Sequence, residues 1–251
     1  MNYDLISNYY DKYVNFTLDI PFFIKESTRT KGSVLELMCG TGRVTLPLIE
    51  AGVSLSAVDV SRTMLQILKN KLEKHGLSAT IFQQDIRGLN LGRNFDLIFL
   101  PFHSFTELET TSDQNKALKS VYEHLNDGGR FICTLHNPAI RLKTVTGQLR
   151  LLGKYPLNTE NSLLVWSAEN YNPLEKIVVG VQIYEEYDNQ GKMRSRTVIE
   201  LKFALIDKTQ FESLVNSAGF EISNTYGDYS YSEFNEASSP VMIFVIQKKR
   251  K

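Results

Sequence analysis

The sequence predicts an α/β chain, a doubly wound and mostly parallel sheet interrupted by an inserted antiparallel β segment. Three observations carry this. An apolar run at 34–37 passes through a glycine turn directly into a helix. Strand and helix patterns then alternate up to residue 138. Two long runs of period-two alternation break that order before a helix and two further strands close the chain.

In the first unit Val34, Leu35 and Leu37 suit a buried strand, and Gly40 and Gly42 let the chain turn tightly and approach a ligand without a Cβ. Val44, Leu46, Leu48 and Ile49 give the next helix its apolar side, Pro47 is tolerated in a first turn, and Gly52 is a stop. A second strand ends at Asp59. Ser61 caps a helix with Met64, Leu65, Leu68 and Leu72 on one face, and a third strand covers 79–83. Residues 95–100 are nearly all apolar, as a parallel strand covered on both faces must be, and lead into Pro101-Phe102-His103-Ser104-Phe105. A helix with Ala117, Leu118, Val121 and Leu125 inward then turns through Asn126-Asp127-Gly128-Gly129 into a strand at 130–135, which ends at His136-Asn137-Pro138. Upstream, residues 3–25 carry apolar and aromatic residues at helical spacing, including Tyr9, Tyr10 and Tyr13, and Pro21 starts a second short helix.

Ligands of open α/β sheets lie outside the carboxyl ends of the strands, so the glycine loop is a candidate cofactor site. A nicotinamide fingerprint wants a third glycine where this chain has Thr45, and Glu36 beside the loop repels a pyrophosphate but suits an ammonium group. Asp59 lies about 20 residues beyond the loop, the spacing at which an acid accepts ribose hydroxyls. With Glu36-x-x-x-Gly40-x-Gly42, then Asp59, then Phe82-Gln83-Gln84-Asp85-Ile86, the chain resembles the class I S-adenosylmethionine-dependent methyltransferases.

That resemblance implies the roles. Glu36 sits near the amino acid end of the cofactor, Gly40 and Gly42 lie against it, Asp59 with Val60 takes the ribose, Asp85 with Ile86 takes the adenine, and Tyr13 of the N-terminal helix covers the pocket. Met38 departs from the family, which has glycine there. The Leu125-x-x-Gly128-Gly129 turn also resembles the family, and 221–229 and 241–247 look like its antiparallel sixth and seventh strands, giving a seven-stranded sheet.

Residues 139–206 interrupt the alternation. Ile177, Val179, Val181 and Ile183 alternate on one run and Ile199, Leu201, Phe203 and Leu205 on another, flanking Asp188-Asn189-Gln190-Gly191 as a half-exposed hairpin. The expected organisation is a cofactor-binding core with an N-terminal helical lid, 1–138 and 207–251, and an inserted β cap, 139–206. Asp207 caps the helix after the cap, and the basic residues at 248–251 read as a solvated end.

Lys plus Arg equals Asp plus Glu at 28 each, so no net field draws in nucleic acid or an anionic membrane, and neither partner is expected. Hydrophobic content is 42%, ordinary for a soluble globular chain. Cys39 and Cys133 fall in segments expected to be buried and form no disulfide framework or metal motif, so a cytoplasmic protein without a metal is expected. No N-terminal targeting pattern is present, and a homodimer stands as an open expectation.

Methyl transfer from a sulfonium is an in-line displacement with an activated leaving group, so positioning and exclusion of water are the main tasks. His103 and His136 end neighbouring strands on the ligand side and are the candidate bases, with structural hydrogen bonding the competing role. Tyr9, Tyr10, Phe102 and Trp166 are the substrate candidates, with core packing the alternative. The cap and aromatic N-terminus resemble small-molecule methyltransferases, including those that N-methylate amino sugars or glycine. A non-catalytic module binding S-adenosylmethionine or S-adenosylhomocysteine is the alternative; Thr45 and Glu36 argue against a nicotinamide oxidoreductase.

Overall fold

A computed structural model describes residues 2–249. Strands β1 Val34–Leu37, β2 Leu55–Asp59, β3 Thr80–Gln83, β4 Phe95–Leu100 and β5 Leu125–His136 run parallel. Strands β6 Arg150–Pro156, β7 Asn161–Asn172, β8 Ile177–Asp188 and β9 Met193–Ala204 make a separate antiparallel sheet in that order. β10 Phe220–Tyr226 and β11 Val241–Lys248 return to the first sheet, whose order is β10-β11-β5-β4-β1-β2-β3 with β11 antiparallel to both neighbours. The order reverses between β1 and β4, so a crevice opens at their carboxyl ends.

All four residues of β1 are buried because helices cover both faces of the sheet. Leu35 and Leu37 join Ile98, Phe131, Leu118 and Phe211 in one layer, and Val34 joins Phe99, Ile132, Phe22 and Phe23 in the other. The helices are α1 Ser7–Tyr13, α2 Ile20–Thr28, α3 Thr45–Glu50, α4 Arg62–Lys74, α5 Thr111–His124, α6 Pro138–Arg141 and α7 Lys208–Ser217. Both predicted caps form: the Met64 N–H donates to Ser61 Oγ at 3.1 Å and the Gln210 N–H to Asp207 Oδ1 at 2.8 Å.

The N-terminal segment is more broken than its helical spacing predicts, with a 3₁₀ turn Tyr3–Ile6, α1, and then an irregular stretch before α2. Arg43 holds that stretch, donating to the Phe16 carbonyl at 2.7 Å and to both oxygens of the fully buried Asp19 at 2.6 Å. The β8–β9 hairpin is as expected, but β6 and β7 were not visible as strands. On β7 the inward positions change from Leu163 and Val165 to buried Ser167 and Glu169, which hides the period, and the β6 register shifts between Leu151 and Gly153. The inner face of this second sheet packs Leu163, Val165, Tyr184 and Ile199 on Ile6 and the N-terminal tyrosines. Of the basic end, Arg250 and Lys251 lie outside the described residues.

Candidate active site

The loop after β1 holds three left-handed residues, Met38 at φ 53°, Gly40 at φ 56° and Gly42 at φ 86°. The two glycines serve different ends. A Cβ on Gly40 would meet nothing within 4 Å, so its backbone faces open space, whereas one on Gly42 would lie 2.4 Å from Leu68 Cδ1 and 2.8 Å from Leu46 Cδ1. Gly42 lets α3 and α4 pack closely. Met38 adopts the left-handed backbone that glycine would take without strain, at a cost of about 1–2 kcal/mol.

The loop is tied to the end of β2. The Cys39 N–H donates to the Val58 carbonyl at 3.0 Å, and the Gly40 and Ser61 N–H groups each donate to the Asp59 carboxylate at 2.8 Å. Burial raises the Asp59 pKa, and those backbone donors oppose the rise.

Three cavities adjoin along the carboxyl ends of the parallel strands. One of about 370 Å³ lies over Asp59, Val60, Asp85, Ile86 and Asp113. A second of about 250 Å³ is bounded by Tyr3, Tyr10, Gly40, Asp59, Val60 and Ser61. These two share Met38, Asp59, Val60 and Glu107 and form one trough. A third chamber of about 370 Å³ lies beneath the second sheet, among Tyr10, Tyr13, Phe102, His103, His136 and Phe203. It meets the trough at Tyr3, Tyr10, Ser104 and Glu107, and Glu107 borders all three cavities.

The trough fits S-adenosylmethionine in kind: an open glycine backbone beside a carboxylate, then a second carboxylate at the next strand end.

The chamber floor is the turn after β4, where Phe102 at φ 56° and His103 at φ 63° are both left-handed. Arg43 braces it from below with its guanidinium carbon 4.5 Å from the Phe102 ring centroid. His103 is pushed down to about 4 by burial, its Nδ1 has no hydrogen-bond partner, and its backbone N–H donates to Thr134 Oγ1 at 3.1 Å. His136 is driven well below the ordinary imidazole value, first by burial and then by His103 and Arg141. Both rings are partly buried and border the chamber. Two neutral imidazoles therefore wall the chamber at neutral pH, able to accept a hydrogen bond or a proton.

Of the residues expected from sequence, Gly40, Asp59, Val60, Asp85 and Ile86 gather on the trough, and Tyr10, Phe102, His103 and His136 on the chamber. Asp85 is held below the usual carboxylate range by Arg87, which contacts it at 2.5 Å. Tyr13, expected at the cofactor, borders the chamber and bonds to Tyr184 at 3.0 Å. Glu36 lies beneath the loop, 1% exposed, accepting from Thr45 Oγ1 at 2.6 Å, and burial pushes it up to about 8.

Tyr9 and Trp166 require correction as chamber residues. Tyr9 stacks on Tyr184 at 6.2 Å and reaches Glu186 at 3.4 Å. Trp166 lies on the outer face of β7, opposite the buried Val165 and Ser167, and donates its indole N–H to Glu185 at 3.0 Å. The residues that sequence reasoning missed are Glu107, Tyr3, Tyr155 and Phe203, together with the Arg141–Glu169 ion pair. Phe203 stood in a recognised alternating run and Tyr3 in the dense N-terminal tyrosine set; nothing local marked the others.

Residues 34–129 match the family described as a methyltransferase domain, and the sheet order and loop chemistry agree with it. Residues 34–129 thus form a methyltransferase domain, and the chain has the fold of the class I S-adenosylmethionine-dependent methyltransferases. It is similar to the cypemycin N-terminal methyltransferase of Streptomyces sp, 25% identical over 217 residues that cover 86% of this chain and 83% of that one. Likeness to the glycine/sarcosine N-methyltransferase of Halorhodospira halochloris is 25% over 237 residues, covering 91% and 80%. The crystal structure of an S-adenosylmethionine-dependent methyltransferase from Clostridium acetobutylicum shares the fold, with TM-score 0.80, 22% identity and 99% of each chain covered.

Among the described residues of this methyltransferase, no group of three or more His, Cys, Asp or Glu is placed to hold a metal, and no helix is long and apolar enough to cross a membrane.

Proposed function

We propose that this methyltransferase transfers a methyl group to an amine nitrogen of a small molecule. The observation that carries it is the continuity of the Asp59 trough with an aromatic chamber at Tyr10 and Glu107, which puts a methyl donor and an acceptor in adjoining spaces. Bound in the trough, S-adenosylmethionine would supply a sulfonium-activated methyl group. In this reading Asp59 and Val60 hold the ribose, Asp85 and Ile86 the adenine, Gly40 lies against the cofactor, and Glu36 attracts its amino group from beneath.

Tyr10 and Phe102 position the acceptor, and His103 and His136 keep a neutral acceptor face there. The aromatic walls exclude water, which favours displacement over loss of the methyl group to solvent. The named amine acceptors of the two sequence relatives support nitrogen over oxygen.

We take residues 1–138 and 207–251 as the cofactor-binding core and 139–206 as the cap that completes the acceptor space. Two free, buried cysteines support a cytoplasmic setting, and the charge balance supports a small-molecule acceptor over nucleic acid.

The test is transfer of labelled methyl from S-adenosylmethionine into a panel of amines, sugars and phenols, with Asp59→Asn alongside. Transfer to amines is expected, and the variant should bind S-adenosylhomocysteine at least about tenfold more weakly, since a charge-assisted hydrogen bond contributes roughly 1.5–3 kcal/mol. Label appearing only in phenols or sugar hydroxyls would overturn the amine reading.

A further inference from the structure

An antiparallel sheet with one side in water turns polar residues to that side, and the second sheet departs from this on its outer face. Strand pairing sets Leu151, Trp166, Ile183 and Val198 in one row across all four strands, on the side away from the chamber. Leu151 and Val198, on the two edge strands, are 48% and 52% exposed. Leu164, Val179 and Val181 lie on the same side and extend the apolar patch along the strands.

The charges on this face are balanced. Glu185 pairs with Arg196 and also accepts from the Trp166 indole N–H at 3.0 Å. Lys154 and Glu200, on the two edge strands, are of opposite sign. No excess of either sign is present to recruit a charged partner or to repel an identical face. Pairing through the β6 edge is hindered, because β6 shifts register between Leu151 and Gly153 and ends in Pro156.

The size of the face fits a particular occupant. Three strands of 12 residues and one of 7, spaced about 4.8 Å apart with a rise of about 3.3 Å per residue, cover about 700 Å². A stable interface takes roughly 800 Å² from each partner. Two-fold dimers, in which one patch meets its own copy, are the commonest soluble oligomers.

We propose that this face is a homodimer interface, in which the row from Leu151 to Val198 packs on the same patch of a second copy about a two-fold axis. The chamber lies beneath the opposite face of the sheet, so the proposed acceptor space of each copy stays clear of the contact.

Sedimentation equilibrium of the full chain at tens of micromolar is expected to give twice the 28.6 kDa chain mass. Trp166 is the single tryptophan, so its emission reports on this face directly and should shift to the red on dilution, in step with the fall in mass. Val198→Glu and Leu151→Glu each place an unpaired charge in the contact twice per dimer and should weaken association about a hundredfold or more. Leu174→Glu, at a turn position 95% exposed and outside the face, should leave association unchanged. Circular dichroism and S-adenosylhomocysteine affinity show whether each variant is folded, and the emission of wild type needs no variant. A mass of 28.6 kDa at every concentration, emission that stays constant while the mass halves, or full association in both folded face variants overturns the proposal.

Discussion

The imidazoles of His103 and His136 stack with ring centroids 3.9 Å apart and planes 27° apart, one just beyond β4 and the other closing β5. Burial disfavours the charged form of both, and His103 adds to the effect on His136. A histidine whose folded pKa lies below its unfolded value of about 6.5 contributes stability above that value and loses it as pH falls towards the folded one. For His103 the window runs from about 6.5 down to about 4. Melting temperature measured across this range should fall with pH, and His103→Gln and His136→Gln should each flatten the slope. If these rings are the proton acceptors, each substitution lowers kcat about a hundredfold with S-adenosylhomocysteine affinity unchanged; full turnover in both variants would leave positioning as their only role.

Glu36 runs the opposite way. Its folded pKa of about 8 exceeds the unfolded value, so its protonated form predominates at pH 7, and stability is lost as pH rises from about 4.3 towards about 8. Glu36→Gln, which keeps an oxygen for Thr45, should therefore melt at a higher temperature than wild type above pH 8. In the proposed role a ligand ammonium favours the carboxylate, so S-adenosylhomocysteine binding at pH 7 should release up to about one proton. Calorimetry in buffers of different ionisation enthalpy reads this directly, and the variant should show no such release.

The two loop glycines predict contrasting variants. Gly42→Ala must push a Cβ into Leu68 and Leu46 from a left-handed backbone, and should destabilise the chain by about 2–4 kcal/mol while the folded fraction keeps its S-adenosylhomocysteine affinity. Gly40→Ala has room and should cost about 1–2 kcal/mol, but its methyl group enters the trough and weakens the ligand. Chemical denaturation and calorimetry on both proteins separate the two effects; equal loss of ligand affinity would mean that Gly42 also lines the bound site.

The sheet was legible because parallel strands covered on both faces read as unbroken apolar runs, as at Phe95–Leu100, and because Ser61 and Asp207 announce their helices. Asp59 was legible because its place follows from spacing along one chain segment. Glu107 was not, since it ends a 3₁₀ turn, Ser104–Glu107, whose position over the trough is fixed by tertiary packing. Strands β6 and β7 were lost to buried polar residues and a register shift, and with them the means of orienting Trp166, since the side of β7 that faces the chamber is settled by its long-range pairing with β8, Trp166 opposite Ile183.

That orientation changes what the second sheet should do under mutation. Phe203 on β9 borders the chamber and lies 5.7 Å from the His136 ring centroid, whereas Trp166 looks outward towards Glu185. Phe203→Ala is expected to raise KM for the amine acceptor about tenfold or more and leave S-adenosylhomocysteine binding intact, because it removes chamber wall and no part of the trough. Trp166→Ala should leave both constants within about twofold, and cost some stability from lost cross-strand contacts of about 0.2–1 kcal/mol. Steady-state kinetics on the two variants with one accepted amine decides between the faces: a raised KM in Trp166→Ala with Phe203→Ala unaffected would place the acceptor on the outer side of the sheet, and the chamber beneath it would lose its proposed role.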